Sequence, residues 1–342
     1  MFLLNFVFGE VYCTLNCDYC MYTKKFDRKF TDKEVSNFKK NIYNLKNFID
    51  SKIPELKVIS LTGGEPTLFP EIIEEVYTKF DNKVIRVSTN GTILHKQLDL
   101  NKYNPNKIFF AISLDGINLE DNIFRFKNKQ NLDNILGNID TLLSNGFCVE
   151  LLTVLHPKSI PNYLELIKFL ESKYKKEIDE KRLWCIPFEL VNYLNKEGFR
   201  LDADVIKKFL IDLEDSIDKY KLLSNYKEYF YELIKYYRGE ILGSCKMHKW
   251  ALHIKYLGNT LWTHGKFLLY GCGSRGHKVL GQMNLEDPYE EELIIERANS
   301  IFLDKFFKES KNACNKCFDN RHFYGLFLEN KLSNKPKIFN YN

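Results

Sequence analysis

Three cysteines near the N-terminus, Cys13, Cys17 and Cys20, stand at CxxxCxxC spacing in Cys13-Thr14-Leu15-Asn16-Cys17-Asp18-Tyr19-Cys20. Three thiolates on one short loop can hold three irons of a 4Fe–4S cluster and leave the fourth iron open to chemistry. A structural zinc site would need a fourth ligand close by, and no His or Cys follows Cys20 until His95. A second set, Cys245, Cys272, Cys314 and Cys317, ends in CxxC. Four thiolates suit a fully ligated 4Fe–4S cluster or a tetrahedral zinc, and ligand type alone does not separate the two. The remaining cysteines, Cys148 and Cys185, fall inside apolar runs and read as small buried hydrophobes.

The elements that must position these groups repeat as strand then helix. Apolar runs over residues 2–11, 56–61, 83–87, 107–112, 148–155 and 182–190 read as six strands. Between them, Val35, Phe38, Ile42, Leu45 and Ile49 recur at helical spacing after Thr31 and Glu34, a capping box. Helices are also expected over 70–80 and 132–144, and on the face marked by Tyr163, Leu166, Ile167, Leu170 and Tyr174. Such repeats imply parallel strands with crossover helices. The polar and glycine-rich stretches all fall at the C-terminal strand ends, the face that carries the active site in βα barrels. They are Thr62-Gly63-Gly64-Glu65-Pro66, Ser88-Thr89-Asn90-Gly91-Thr92, Ser113-Leu114-Asp115-Gly116 and His156-Pro157. Residues 191–244 are polar, Tyr-rich and helical, and read as packing against the barrel. Beyond them lie a hairpin pattern over 253–262, a strand into Cys272 and a helix near 299–308.

At 342 residues the chain suits one large domain plus a smaller one. A hydrophobic fraction of 44 % provides for a buried core, and a net charge of +5 with interspersed acids gives no nucleic-acid footprint. No stretch has the length of a membrane span. Met1–Val11 lacks a basic leader and a cleavage site. Nine cysteines without a secretory signal point to a reducing, cytoplasmic setting.

The cysteine spacing, followed by Gly63-Gly64-Glu65-Pro66 after the second strand, resembles the signature of the radical S-adenosylmethionine (SAM) superfamily. The resemblance covers about residues 1–190 and implies a partial (β/α)6 TIM-type barrel. It implies SAM chelated to the open iron and cleaved by one electron to a 5′-deoxyadenosyl radical. It also implies SAM contacts from Tyr19, Gly63, Gly64, Glu65, Pro66, Ser88, Asn90, Ser113 and Asp115. Glycines admit close backbone approach, strand-end carbonyls with the Glu65 carboxylate suit the SAM ammonium, and hydroxyls and amides suit ribose. Ile186 to Phe188 offer an apolar shelf for adenine. Thr153 and His156 lie near enough to reach a ligand or to serve as hydrogen-bonded supports.

The later cysteines are similar to the twitch module, the short form of SPASM. This implies an auxiliary 4Fe–4S cluster on Cys245, Cys272, Cys314 and Cys317, in a small hairpin-plus-helix module over 245–330, with 191–244 as a helical linker. Some related epimerases use a cysteine to return a hydrogen atom, which makes Cys185 a candidate donor. The expected activity is oxidation or crosslinking of a peptide or protein side chain. Its alternatives are a dehydrogenase or epimerase of a small alcohol, sugar or aminocyclitol, or an iron–sulfur electron carrier or scaffold without catalysis. Expected partners are the substrate, a flavodoxin- or ferredoxin-type reductant and a separate peptide-recognition protein, with neither nucleic acid nor membrane.

Overall fold

A computed structural model describes residues 3–8, 12–20, 31–52, 54–189, 199, 201–240, 251–256, 267–270, 279–283, 326 and 331–341. Cys245, Cys272, Cys314, Cys317 and the helix expected near 299–308 lie outside the described residues.

Six strands run parallel: β1 (Leu3–Phe8), β2 (Val58–Gly63), β3 (Val84–Thr89), β4 (Ile108–Ser113), β5 (Cys148–Leu155) and β6 (Leu183–Glu189). They lie side by side in the order β6-β5-β4-β3-β2-β1. Parallel strands need crossovers, and helices provide them: α1 (Asp32–Lys52), α2 (Pro70–Lys79), the short α3 (Leu94–Gln97), α4 (Lys129–Ser144), α5 (Tyr163–Lys173) and α6 (Lys175–Asp179). This is the expected α/β architecture of a partial (β/α)6 barrel.

Burial follows the sequence periods. Phe38, Ile42, Leu45 and Ile49 of α1 are all buried, as their spacing requires. All eight residues of β5 are buried, because parallel strands are covered on both faces. Strand parity then decides which side chain faces which layer. Ser88, Ala111, Glu150 and Trp184 share one row across β3 to β6. Arg86 of β3 meets Glu150 of β5 at 2.7 Å, across the small Ala111 row of β4, so this row faces the concave side. Ile112 and Cys185 have the opposite parity. A Cβ on Gly91 would touch Ile112 and the α4 residue Ile135 together, which marks the helical side.

Residues 201–240 form α7 (Ala203–Glu214), α8 (Lys221–Ser224) and α9 (Lys227–Tyr237). They pack on the barrel as expected: the Tyr229 hydroxyl donates to the Pro187 carbonyl at 2.6 Å, and Phe209 meets Tyr163 edge-on at 5.8 Å. Residues 337–341 lie at the opposite end from the strand-end loops. There the Lys337 N–H reaches the Lys181 carbonyl just before β6, and Phe339 packs on Phe109.

Of the hairpin pattern over 253–262, residues 253–256 lie in β7 (Ala251–Tyr256) and 257–262 lie outside the described residues. β7 pairs antiparallel with β8 (Phe267–Tyr270), the strand expected to lead into Cys272, and β8 pairs antiparallel with β9 (Val279–Met283). The placement of β7 was not expected. β7 pairs in parallel with β1, so these strands extend the barrel sheet to nine. An alternating pattern reports a strand but not its neighbour.

Candidate active site

Because β1 to β5 are parallel, the loops after them meet at one end of the sheet. The cysteine loop follows β1 there, and Cys13, Cys17 and Cys20 are half-buried thiols outside any disulfide. The Cys20 N–H closes a turn onto the Cys17 carbonyl at 3.0 Å. Among the described residues no three His, Cys, Asp or Glu side chains gather at single-ion distance. The fit of a cluster therefore rests on the donor set itself: three thiols on one tight loop with polar neighbours placed around them.

The Gly-Gly-Glu-Pro stretch supplies the first of these supports. Gly63 takes φ +144°, which favours glycine, and Glu65 caps a short 3₁₀ turn that begins at Pro66. Glu65 was expected to offer its carboxylate to a ligand. Instead it is 1 % exposed and works as an internal staple. Oε1 accepts from the Thr67 N–H (3.0 Å), the Thr67 hydroxyl (2.6 Å) and the Thr89 hydroxyl (2.6 Å), while Oε2 accepts from the Asn90 N–H (2.7 Å). Burial pushes its carboxyl above the usual value, against the pull of these bonds. Its own N–H donates to the Tyr12 carbonyl at 2.7 Å, joining the β2 loop to the start of the cysteine loop.

Asn90, at the end of β3, contacts the cysteine loop directly. Its Nδ2 lies 3.0 Å from the Thr14 hydroxyl and 3.7 Å from the Cys13 sulfur. Ser88 is half-buried and its hydroxyl accepts from Arg86. Ser113 is half-buried at the end of β4, and its hydroxyl has no hydrogen-bond partner among the described residues.

Asp115 was expected beside SAM. The structure places it beneath the cysteine loop, fully buried, with four donors on its two oxygens. Oδ2 accepts from the Tyr19 hydroxyl (2.6 Å) and Arg125 Nε (2.8 Å), and Oδ1 from Arg125 Nη2 (2.9 Å) and the Val154 N–H (2.9 Å). Burial alone would raise its pKa, but the Arg125 guanidinium and the hydrogen bonds outweigh burial and hold the carboxyl below its usual range. Tyr19, expected against adenine, gives its hydroxyl to this carboxylate, and burial raises its pKa well above the ordinary value. The Arg125 guanidinium also lies 5.3 Å from the Tyr19 ring centroid. The Asp18 N–H donates to the Phe124 carbonyl at 2.7 Å, so the loop's second half is docked on 115–125.

His156 and Thr153 act as supports. His156 Nδ1 accepts from the N–H groups of Lys158 and Ser159, both at 3.2 Å, which puts the ring proton of the neutral form on Nε2, 3.5 Å from Asp115. The Thr153 hydroxyl donates to the Leu114 carbonyl at 2.9 Å. Ile186 is buried on the concave parity, while the Phe188 side chain lies outside the described residues. Cys185 is not brought to the site: strand parity turns it to the helices, where Thr153 (3.4 Å) and the Tyr163 hydroxyl (3.8 Å) cover it. Burial pushes its thiol up to about 11. Cys185→Ala is expected to leave any reaction product unchanged and to lower stability by about 1 kcal/mol, checked by intact-mass analysis and thermal melting.

Sequence reasoning missed Arg125, Thr14, Thr67, Thr89, Thr92 and Asn122. Asn122 accepts from the Asp115 N–H at 2.9 Å and donates to the Gly116 carbonyl at 2.8 Å. Thr14 lies inside the cysteine motif, Thr67 follows Gly-Gly-Glu-Pro, and Thr89 and Thr92 flank Asn90 at the end of β3, so these hydroxyls were findable beside the motifs. Arg125 lies in a loop without periodicity, and no local pattern names its partner.

Residues 11–170 match the model of the Radical SAM superfamily. A GTP 3′,8-cyclase of Campylobacter lari is 30 % identical over 165 residues, 46 % of this chain and 48 % of that protein. A 7-carboxy-7-deazaguanine synthase of Methanothermobacter thermautotrophicus is 31 % identical over 85 residues, 24 % of this chain and 30 % of that one. The chain thus spans about half the length, or less, of these curated relatives. Among solved structures, anSMEcpe with bound AdoMet and the Cp18Cys peptide aligns with a TM-score of 0.59 at 19 % identity, over 92 % of this chain and 86 % of that one. Streptococcus suis SuiB bound to S-adenosylmethionine aligns at 0.58 and 14 % identity, over 86 % and 65 %. These likenesses concern the fold. The family match spans residues 11–170, from the cysteine loop through the strand-end contacts that hold it, so this stretch of the chain is similar to the radical SAM superfamily.

Proposed function

We propose that Cys13, Cys17 and Cys20 hold a 4Fe–4S cluster with SAM on its open iron, and that the protein modifies a peptide or protein side chain. The observation that carries the first part is the half-buried three-thiol loop, fixed at the strand ends by Asn90 and by the Tyr19–Asp115 bond. When bound, the cluster and SAM supply a 5′-deoxyadenosyl radical able to abstract hydrogen from an unactivated C–H bond. The chain's own groups place these components. The Gly63 and Gly64 backbone at the end of β2 suits the SAM ammonium, because the Glu65 carboxylate is engaged inside. The hydroxyls of Ser88 and Ser113 suit ribose. Tyr19 and Asp115 act one step back, by holding the loop.

The peptide reading is supported by the fold shared with anSMEcpe in its Cp18Cys peptide complex and with SuiB bound to the precursor peptide SuiA, the latter at a TM-score of 0.53. The cyclase likeness at 30 % identity favours the second reading, a small-molecule substrate. The electron comes from a flavodoxin- or ferredoxin-type donor. Anaerobically reconstituted protein, given dithionite and SAM, is expected to yield 5′-deoxyadenosine; a yield no higher than that of iron-free protein refutes the assignment. Intact-mass analysis then separates the readings: a loss of two hydrogens from a peptide supports oxidation or crosslinking.

We further propose that Cys245, Cys272, Cys314 and Cys317 would hold an auxiliary 4Fe–4S cluster, within a module over 245–330, which would supply an acceptor for the electron lost by the substrate radical. Replacing Cys314 and Cys317 with Ala is expected to lower iron from about eight to about four per chain, by the Cys₄ rule. Bound zinc with only four irons in the unsubstituted protein would exclude the auxiliary cluster.

A further inference from the structure

Asn90 was expected to contact ribose, but all four hydrogen-bonding positions of its amide are engaged within the protein. Oδ1 accepts from the Thr92 N–H at 2.9 Å and from the Thr92 hydroxyl at 2.6 Å. The Thr92 N–H can only donate, which fixes the oxygen on that side and the nitrogen on the other. Of the two Nδ2 hydrogens, one meets Thr14 Oγ1 at 3.0 Å and the other meets Cys13 Sγ at 3.7 Å. Sulfur's larger radius makes this N···S separation longer than an N···O bond would be.

The amide has little room to turn away. Asn90 is 8 % exposed, and its backbone N–H is held by Glu65 Oε2 at 2.7 Å. Gly91 follows at φ +74°, and a Cβ there would come within 2.9 Å of Ile112. The Gly91 carbonyl is held by Asn138 Nδ2 at 2.6 Å. Holding the loop needs only the Thr14 bond. The second hydrogen is aimed at a ligand sulfur.

We propose that Asn90 is a positioning residue that sets the reduction potential of the cluster on Cys13, Cys17 and Cys20, by an N–H···S bond to Cys13. This rests on the cluster reading above. Adding one electron makes the thiolate sulfurs more negative, so an N–H dipole aimed at one of them favours the reduced form more than the oxidised form. The partly buried setting strengthens the effect. Removing the donor therefore makes the cluster harder to reduce.

The test is a redox titration of the full chain, reconstituted anaerobically and followed by electron paramagnetic resonance. The signal to follow is the one that changes when SAM is added, since this singles out the three-cysteine cluster. In Asn90→Leu the reduced-to-oxidised ratio at a fixed potential is expected to fall about two- to tenfold, the range of one net hydrogen bond, with tenfold equal to about 59 mV for one electron. Thr14→Val removes the other acceptor but leaves the N–H on sulfur, and is expected to leave the ratio unchanged. An unchanged ratio in Asn90→Leu overturns the proposal, as does an equal shift in Thr14→Val, which would mean loop support alone. Should Asn90→Leu fail to assemble, the hyperfine spectrum decides. In an Asn16→Ser background with side-chain ¹⁵N-asparagine, the reduced cluster is expected to couple to one amide nitrogen; absence of that coupling overturns the proposal. If no signal responds to SAM in unsubstituted protein, the underlying cluster reading has failed instead.

Discussion

Cys17→Ala is expected to leave a folded chain that forms no 5′-deoxyadenosine above background. Cys17 is half-buried on a loop whose docking atoms lie elsewhere. The Asp18 N–H on the Phe124 carbonyl, the Tyr19 hydroxyl on Asp115 and the Asn90 amide on Thr14 all survive the substitution. Folding stability should therefore change by about 1 kcal/mol or less. A site with two thiolates no longer fills three corners of a 4Fe–4S cluster, and without that cluster nothing presents an open iron to SAM. The checks are iron content, circular dichroism and chromatographic assay of 5′-deoxyadenosine. Cys148→Ala is the matched control. Cys148 lies at the start of β5, beside the Ile338 backbone and far from the strand-end loops, with its thiol pushed up to about 11 by burial. It should lose neither iron nor product. Equal product from Cys17→Ala and the unsubstituted chain would remove the basis of the proposed function.

The parts of this site that were legible in the sequence are those made within one segment. CxxxCxxC and Gly-Gly-Glu-Pro each carry their constraint in consecutive residues: a thiol spacing, a positive-φ glycine, a cap followed by proline. β5 was found with its exact bounds expected because its whole length is apolar and buried. β2 was placed two residues early, since Thr62 and Gly63 look like loop but still pair with Val7 and Phe8 of β1. α4 begins at Lys129 and not at Leu132 because Asn128 caps it, accepting from the Gln130 N–H at 2.9 Å. Roles that depend on two segments were harder to read. Glu65 and Asp115 look like ligand carboxylates in one dimension. Their real partners, Thr89 with Asn90 and Arg125 with Tyr19, come from other loops, and those pairings follow from strand order. Cys185 illustrates the same limit at the scale of one residue, where strand parity turned a plausible donor toward α5.

Asp115→Asn is expected to destabilise the protein by about 3–5 kcal/mol, the cost of leaving a buried charge without its partner. Asp115 is fully buried and the Arg125 side chain is only 7 % exposed, joined through two nearly parallel bonds of 2.8 and 2.9 Å. An amide at this position keeps one acceptor oxygen and turns N–H groups toward donors. Either Arg125 Nη2 and the Val154 N–H, or Arg125 Nε and the Tyr19 hydroxyl, then face a nitrogen. Tyr19 sits between Cys17 and Cys20, so the damage reaches the cysteine loop, and on the proposed cluster reading iron uptake should fall along with stability. Replacing both members, Asp115→Asn with Arg125→Gln, removes the uncompensated charge and should cost less than the two single changes added together. The pH dependence has a definite sign. The folded-state pKa of Asp115 is depressed, so its contribution is fully present above the unfolded value of about 4 and is lost as pH falls through the folded value. The stability gap between the unsubstituted chain and Asp115→Asn should therefore stay constant around neutrality and narrow only in acid below about pH 4. Urea unfolding at pH 7 and pH 3 measures both numbers, and a gap under about 1 kcal/mol at pH 7 would show that the pair does not hold the loop.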